Sequence, residues 1–145
     1  ASRLDAALTR ISEITGNRRC SLIGYSLGGP IARRYIAMSG KPKVDRLLTL
    51  ATPHLGTLRF EPFSIPRTER FYPMAGIEIR PDSRLLWDLN TNVESSSVSE
   101  FAALGGYSWG HSDGTIEMGS TSLVRCTADG SVTENFYLPV CPGPT

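Results

Sequence analysis

The feature that most constrains this chain is the segment 24–28, which reads Gly-Tyr-Ser-Leu-Gly and separates two apolar stretches of different character. Residues 19–25 contain a short continuous apolar run that is typical of a buried strand. Residues 27–38 instead repeat their apolar side chains at helical spacing. The chain must therefore pass from strand to helix within very few residues, and glycines, which lack a Cβ atom, permit so tight a turn.

Several other segments predict an α/β protein. Residues 2–15 predict an amphipathic helix with Ser2 as its N-cap and Gly16 at its end. The remaining predictions are strands over 44–51, 98–104 and 135–140, a short helix from 81–83 through 89, and a glycine-rich loop over 105–114. Strands that are apolar throughout and alternate with helices favour a mainly parallel sheet with flanking helices.

Composition limits the classes of function. The 145 residues carry a net charge of +1 and are 40% hydrophobic, which is ordinary for one globular domain spanning 1–145. Such a charge gives no basis for binding nucleic acid, and we expect no transmembrane segment. The cysteine and histidine spacings make no zinc site, and the glycine-rich segment 24–28 lacks the lysine of a phosphate-binding loop. We therefore expect neither a metal nor a cofactor.

Ser26 is the candidate nucleophile, because the segment matches the Gly-x-Ser-x-Gly nucleophile-elbow pattern. In such a turn the serine hydroxyl lies above the carboxyl edge of the sheet, and we expect Gly24 and Gly28 to remove the Cβ atoms that would collide there. The N–H of Leu27 then points to where an oxyanion would develop. A glycine-rich turn that merely allows close packing is the plainer interpretation, but the strand before it and the helix after it favour the elbow.

Four segments resemble the serine lipases and esterases of the α/β-hydrolase fold. These are Gly-Tyr-Ser-Leu-Gly-Gly at 24–29, Leu-Ala-Thr-Pro-His-Leu-Gly at 50–56, the helix at 83–90, and Ser-Asp-Gly-Thr-Ile at 112–116. They occur in the order that these enzymes have and extend over most of the chain. The resemblance implies a partial α/β-hydrolase fold that represents the central portion of the domain.

The resemblance also implies an activity. It predicts a carboxylic-ester hydrolase, lipase-like, that acts on an apolar acyl ester through an acyl-enzyme on Ser26. Asp113 would be the carboxylate that orients a histidine, although an Asp-Gly pair is also an ordinary turn former. Residues 55–97 would form a cap-like excursion over the site. The aromatic side chains there either line an acyl pocket or pack as the core of a long loop; they are Phe60, Phe63, Phe71, Tyr72 and Trp87.

This sequence departs from the pattern of these hydrolases in the position of the catalytic base. These hydrolases carry the histidine after the acid, whereas His54 and His111 both precede Asp113. His111 is only two residues from Asp113, and the setting of His54 suggests a structural role, so we expect neither to be the base. Three explanations stay open: a fragment of a larger hydrolase, completion by another chain, or a reduced form with an unusual base.

A different class of function is also open. The chain could be a non-catalytic hydrolase-like module that binds a lipid or protein partner, or that associates with itself through an exposed sheet edge.

Cys20 is expected in the core, whereas Cys126 and Cys141 could pair. If they do, a secreted or periplasmic location is favoured; otherwise the compartment is open. The sequence does not distinguish lipase, esterase, thioesterase and acyltransferase, or give acyl length.

Overall fold

Four parallel strands form one sheet in which they follow each other in chain order. The strands are β1 Cys20–Tyr25, β2 Val44–Leu50, β3 Glu100–Tyr107 and β4 Glu134–Pro139. They alternate with helices α1 Ser2–Thr15, α2 Gly28–Met38, α3 Arg84–Thr91 and α4 Met118–Thr121. The computed structural model describes residues 1–39, 43–58, 78–91, 98, 100–107, 116, 118–121 and 134–139. The predicted α/β arrangement with a parallel sheet is confirmed.

The register of the strands brings their carboxyl ends to one edge. Tyr25 lies opposite Leu50, and Leu50 lies opposite Leu104. Every strand pair in the described sheet is parallel. The segments that follow β1, β2 and β3 therefore begin next to each other at the same edge, which is where ligands bind in parallel sheets of this kind.

The hydrophobic core lies between the sheet and helices α1 and α2. Its buried side chains come from both helices, from β2 and β3, and from Val98 before β3: Leu8, Ala32, Tyr35, Ile36, Val44, Leu47, Val98, Phe101 and Ala103. Cys20 packs against this core and is only partly buried. Full burial of one such aliphatic side chain stabilises a fold by about 1.5–3 kcal/mol, so this layer fixes α2 on the sheet.

The ends of the elements correct two details of the sequence prediction and confirm a third. Ala1, and not Ser2, occupies the N-cap of α1, and no side chain caps the helix there. Gly16 ends the helix in the left-handed region at φ 73°, as expected. Residues 105–107, predicted as the start of a glycine-rich loop, instead continue β3 and pair with β4.

Some predictions concern residues outside the described part of the chain. These are Cys126 and Cys141, Asp113 and His111, and most of the cap-like excursion, of which 59–77 and 92–97 are not described. Among the described residues, no helix combines the length and apolar character needed to cross a bilayer.

A small polar cluster ties α1 to the start of β2. Lys43 Nζ donates to Asp5 Oδ1 at 2.8 Å and to Thr9 Oγ1 at 2.9 Å. The Tyr35 hydroxyl donates to Asp5 Oδ1 at 3.3 Å and accepts the Lys43 backbone N–H at 3.0 Å. The hydrogen bond from Lys43 holds the pKa of the Asp5 carboxyl below its ordinary value, and the same bond raises the pKa of Lys43.

These shifts predict how stability depends on pH. The Asp5 contribution is fully present above pH 3.8 and is lost as the pH falls through the lowered folded-state pKa. The Lys43 contribution is fully present below pH 10.5 and is lost as the pH rises through the raised folded-state pKa. Urea midpoints measured against pH should therefore change less in Lys43→Met than in the wild type in both windows. Arg10→Met, which removes an exposed ion pair within α1, is the control and should leave both pH effects in place.

Candidate active site

Ser26 lies in a strained backbone turn at the carboxyl end of β1. Its φ is 49°, in the left-handed region that residues other than glycine rarely adopt. Its N–H donates to the Leu50 carbonyl of β2 at 2.8 Å, and α2 begins two residues later, at Gly28. Such strain costs about 1–3 kcal/mol and is concentrated at active sites. The Ser26 side chain is half-buried, at the edge of the sheet where the strands end.

Two glycines allow the strand and the helix to meet so closely. A Cβ on Gly24 would lie 2.9 Å from Cα and N of Gly29. A Cβ on Gly29 would overlap the side chain of Thr52, whose own Cβ would be 2.9 Å away. A Cβ on Gly28 would meet no heavy atom within 4 Å, so the crowding that we expected at Gly28 lies at Gly29 instead.

This difference between neighbouring glycines predicts opposite effects of the same substitution. Gly29→Ala should destabilise the protein by about 1–3 kcal/mol, because the new methyl group overpacks against Thr52. Gly28→Ala, the matched control, should be neutral or slightly stabilising, since its methyl group enters open space on a helix. Urea denaturation measures both changes, and equal destabilisation by the two variants would contradict the packing described here.

Leu27 provides a backbone donor beside Ser26. It is the N-cap of α2, and within the described part of the chain its N–H has no hydrogen-bond acceptor. The first N–H groups of a helix lack intrahelical partners and lie at the positive end of the helix dipole. The N–H of Leu27 is therefore available to a negatively charged oxygen near Ser26.

The turn after β2, residues 51–56, packs directly against the Ser26 turn. Ala51 has a left-handed φ of 44°, and its N–H donates to the Leu104 carbonyl at 2.8 Å. This bend brings Thr52 into the junction of the strands, where it is 1% exposed. Thr52 Oγ1 lies 3.1 Å from the Ser26 carbonyl oxygen.

His54, in the same turn, is completely buried and hydrogen-bonded at both ring nitrogens. Arg33 Nη1 lies 3.2 Å from His54 Nδ1, and Thr49 Oγ1 lies 2.8 Å from His54 Nε2. Because a guanidinium can only donate, Nδ1 accepts and the ring proton is on Nε2, which donates to Thr49. The imidazole is therefore neutral, and neither nitrogen is available to accept a proton from Ser26.

Arg33 is a buried residue near the site that the sequence did not lead us to predict. It is 1% exposed, donates through Nη2 to the Leu89 carbonyl at 2.6 Å, and so joins α2 to α3. Asn90 Nδ2 donates to the His54 carbonyl at 2.9 Å and completes the link. A charged residue on the apolar face of α2, between Ala32 and Ile36, was the signal for a buried partner.

The buried hydrogen bonds of His54 predict a structural penalty for its removal. His54→Ala should lower the free energy of unfolding by at least about 2 kcal/mol, because Arg33 loses an acceptor away from water. Leu55→Ala, at the exposed neighbouring position, should change it by less than about 0.5 kcal/mol. Urea denaturation of both variants is the measurement. Wild-type stability of His54→Ala would show that Arg33 does not depend on this contact.

A comparison with known families concerns the part of the chain that carries this turn. Residues 3–74 match the family described as "Putative serine esterase (DUF676)". The match includes β1, the Ser26 turn, α2, β2 and the turn that contains His54. The match extends over 72 of the 145 residues, just under half of the chain. No curated protein matches the sequence. The resemblance inferred from the sequence is thus confirmed at family level, and the parallel sheet agrees with a partial α/β-hydrolase region.

The predicted acid, Asp113, lies in the chain between two described points, Tyr107 and Ile116. β3 ends at Tyr107 on the edge that carries Ser26. Ile116 is buried, the Ser120 carbonyl accepts the His54 N–H at 2.7 Å, and the Ser120 hydroxyl donates to the Gly56 carbonyl at 2.5 Å. Asp113 and His111 lie between these points, outside the described residues, and their roles stay predictions.

A groove lies beside the Ser26 turn, at Leu27. It lies between α2 and residues 78–88, has a volume of about 480 Å³, and includes Leu27 in its wall. Its other apolar walls and its charged groups are Pro30, Ile31, Ile79 and Leu85, and Arg34, Glu78, Arg84 and Asp88. Trp87, a predicted pocket residue, is 69% exposed and is not among the described residues of this wall. Among the described residues, no group of three or more His, Cys, Asp or Glu could hold a metal ion.

Proposed function

We propose that this protein is a carboxylic-ester hydrolase in which Ser26 is the nucleophile and forms an acyl-enzyme. The observation that carries the proposal is the left-handed φ of Ser26 between a parallel strand and a helix N-terminus. A residue other than glycine keeps such a conformation only where its surroundings enforce it. The match of residues 3–74 to the family described as a putative serine esterase supports the same assignment.

The chemistry follows from the groups at the turn. A general base removes the Ser26 hydroxyl proton while Oγ bonds to the carbonyl carbon of the ester. The carbonyl oxygen becomes an oxyanion, which the Leu27 N–H and the N-terminus of α2 stabilise. Collapse of the tetrahedral intermediate breaks the ester C–O bond, and the alcohol leaves with the proton from the base. Water then attacks the acyl-enzyme by the same route and releases the acid.

Asp113 is the carboxylate that we propose orients the base. Support comes from the two described points that flank Asp113 in the chain: β3 ends at Tyr107 on the edge that carries Ser26, and Ser120 contacts the turn at 51–56. In a triad the carboxylate fixes the tautomer of a histidine and stabilises its charged form. His54 does not fit the base, since both of its ring nitrogens are engaged.

The substrate class that we propose is an apolar acyl ester. The groove that Leu27 lines supports this choice, because Ile31, Ile79 and Leu85 give it apolar walls, although Ser26 is not among its described lining residues. Sites for such ligands are mostly apolar with a few polar groups that fix orientation. We further propose that residues 55–97 act as a cap above this edge of the sheet.

Covalent labelling tests the nucleophile. A fluorophosphonate should modify Ser26, as located by peptide mass spectrometry, and Ser26→Ala should abolish both labelling and hydrolysis of p-nitrophenyl butyrate. Ser21→Ala is the matched control, since Ser21 is an exposed serine of the same strand, and its labelling should equal that of the wild type. Asp113→Asn should lower kcat by a factor on the order of 10⁴. Turnover that survives Ser26→Ala, or turnover without an adduct on Ser26, contradicts the proposal.

A second candidate function rests on the opposite face of the sheet. Ile23 is 63% exposed, Tyr25 is 72% exposed, and Phe136, on the same face by strand register, is 48% exposed. Such an apolar face favours a module that binds a lipid or protein partner. Ester turnover by the chain that depends on Ser26 would decide against this alternative.

A further inference from the structure

The hydroxyl of Thr52 lies where three strand and turn segments meet. Its Oγ1 is 3.1 Å from the Ser26 carbonyl oxygen, 3.3 Å from that of Leu50 and 3.4 Å from that of Gly24. The side chain is 1% exposed, so water does not compete for these contacts. A hydroxyl has one proton to donate, and the shortest of the three distances is the one to Ser26.

The Ser26 carbonyl is held from two directions. Gly29 N–H donates to it at 3.1 Å from within the first turn of α2, and Thr52 Oγ1 donates from the neighbouring turn. The Ser26 C=O and the Leu27 N–H belong to one planar trans peptide group and point in opposite directions. Any hydrogen bond that fixes the carbonyl therefore also fixes the direction of the Leu27 N–H.

We propose that Thr52 is a positioning residue for the oxyanion donor. Its hydroxyl anchors the peptide plane between Ser26 and Leu27, and this anchor aims the Leu27 N–H at the developing oxyanion. The inference rests on the proposed function for the role of Leu27, but the anchoring of the peptide plane is testable without any turnover.

The shape of the site explains why threonine suits it. The Cβ and γ-methyl of Thr52 cover Gly29, while Oγ1 reaches the carbonyl of Ser26. A single donor, Gly29 N–H, would leave the peptide plane free to rock about that one hydrogen bond. The second donor comes from another turn and removes this freedom. Valine would keep the packing shape and lose the hydrogen bond.

Nuclear magnetic resonance of the ¹³C,¹⁵N-labelled chain tests the anchor directly. In Thr52→Val the Ser26 carbonyl ¹³C resonance should move upfield, because the carbonyl loses one donor, and the Leu27 amide resonance should shift with it. Thr52→Ser should restore both positions. Thr49→Val is the matched control: it removes an equally buried hydroxyl that contacts His54 and not the peptide plane, so it reports effects passed through the turn and should shift both resonances far less than Thr52→Val does.

Two results overturn the anchor. In the first, both resonances of Thr52→Val stay at their wild-type positions. In the second, Thr52→Ser folds but its two resonances do not return to the wild-type positions. If Thr52→Val does not fold, Thr52→Ser and Thr52→Ala give the same comparison, since they differ only in the hydroxyl. If neither hydroxyl-free variant folds while Thr52→Ser does, the hydroxyl is a folding determinant and the positioning role is rejected.

Steady-state kinetics with p-nitrophenyl butyrate tests the consequence for catalysis. Thr52→Val should lower kcat roughly tenfold with KM unchanged, a fraction of the 10²–10³-fold loss that removal of an oxyanion donor causes. Thr52→Ser should recover the wild-type kcat. Equal losses in Thr52→Val and Thr49→Val would reject positioning in favour of general destabilisation. Turnover that survives Ser26→Ala would instead reject the proposed function and leave the resonance result standing.

Discussion

The close approach of three backbone segments at the end of β1 determines the rest of this site. Gly24 of the strand lies against Gly29 of the helix, and Gly29 lies against Thr52 of the next turn. With side chains at the two glycines the helix would move outward, and Ser26 would no longer be forced to a φ of 49°. The strain at the serine is thus a consequence of packing, and the hydrophobic layer beneath α2 stabilises it.

The turn after β2 depends in its own way on a buried charge. Arg33 reaches from α2 to His54 and to the carbonyl of Leu89, so one guanidinium holds the helix, the turn and α3 together. A buried charge stabilises a fold only when its hydrogen bonds are made, and it penalises any arrangement in which they are not. This network therefore selects one geometry for the turn that carries Thr52.

The sequence allowed prediction of the features that are local. The strand β1, the helix α2 and the tight turn at Ser26 follow from hydrophobic period and from glycine, and all are present. The contacts of Thr52 with Ser26 and Gly24, and the bond between Arg33 and His54, join residues 21 to 28 positions apart, so no local pattern contains them. The crowding at Gly29 in place of Gly28 likewise depends on what the next turn brings into contact.

At Ala51, the rigidity of the backbone and the thermal stability of the protein favour different residues. Its left-handed φ of 44° is a conformation that glycine adopts without penalty and that costs an alanine about 1–2 kcal/mol. Selection for stability alone would favour glycine at position 51. Glycine would, however, also make the backbone next to Thr52 more flexible. Alanine at position 51 thus keeps Thr52 in place at the cost of a lower melting temperature. In other proteins too, activity and stability select for different residues.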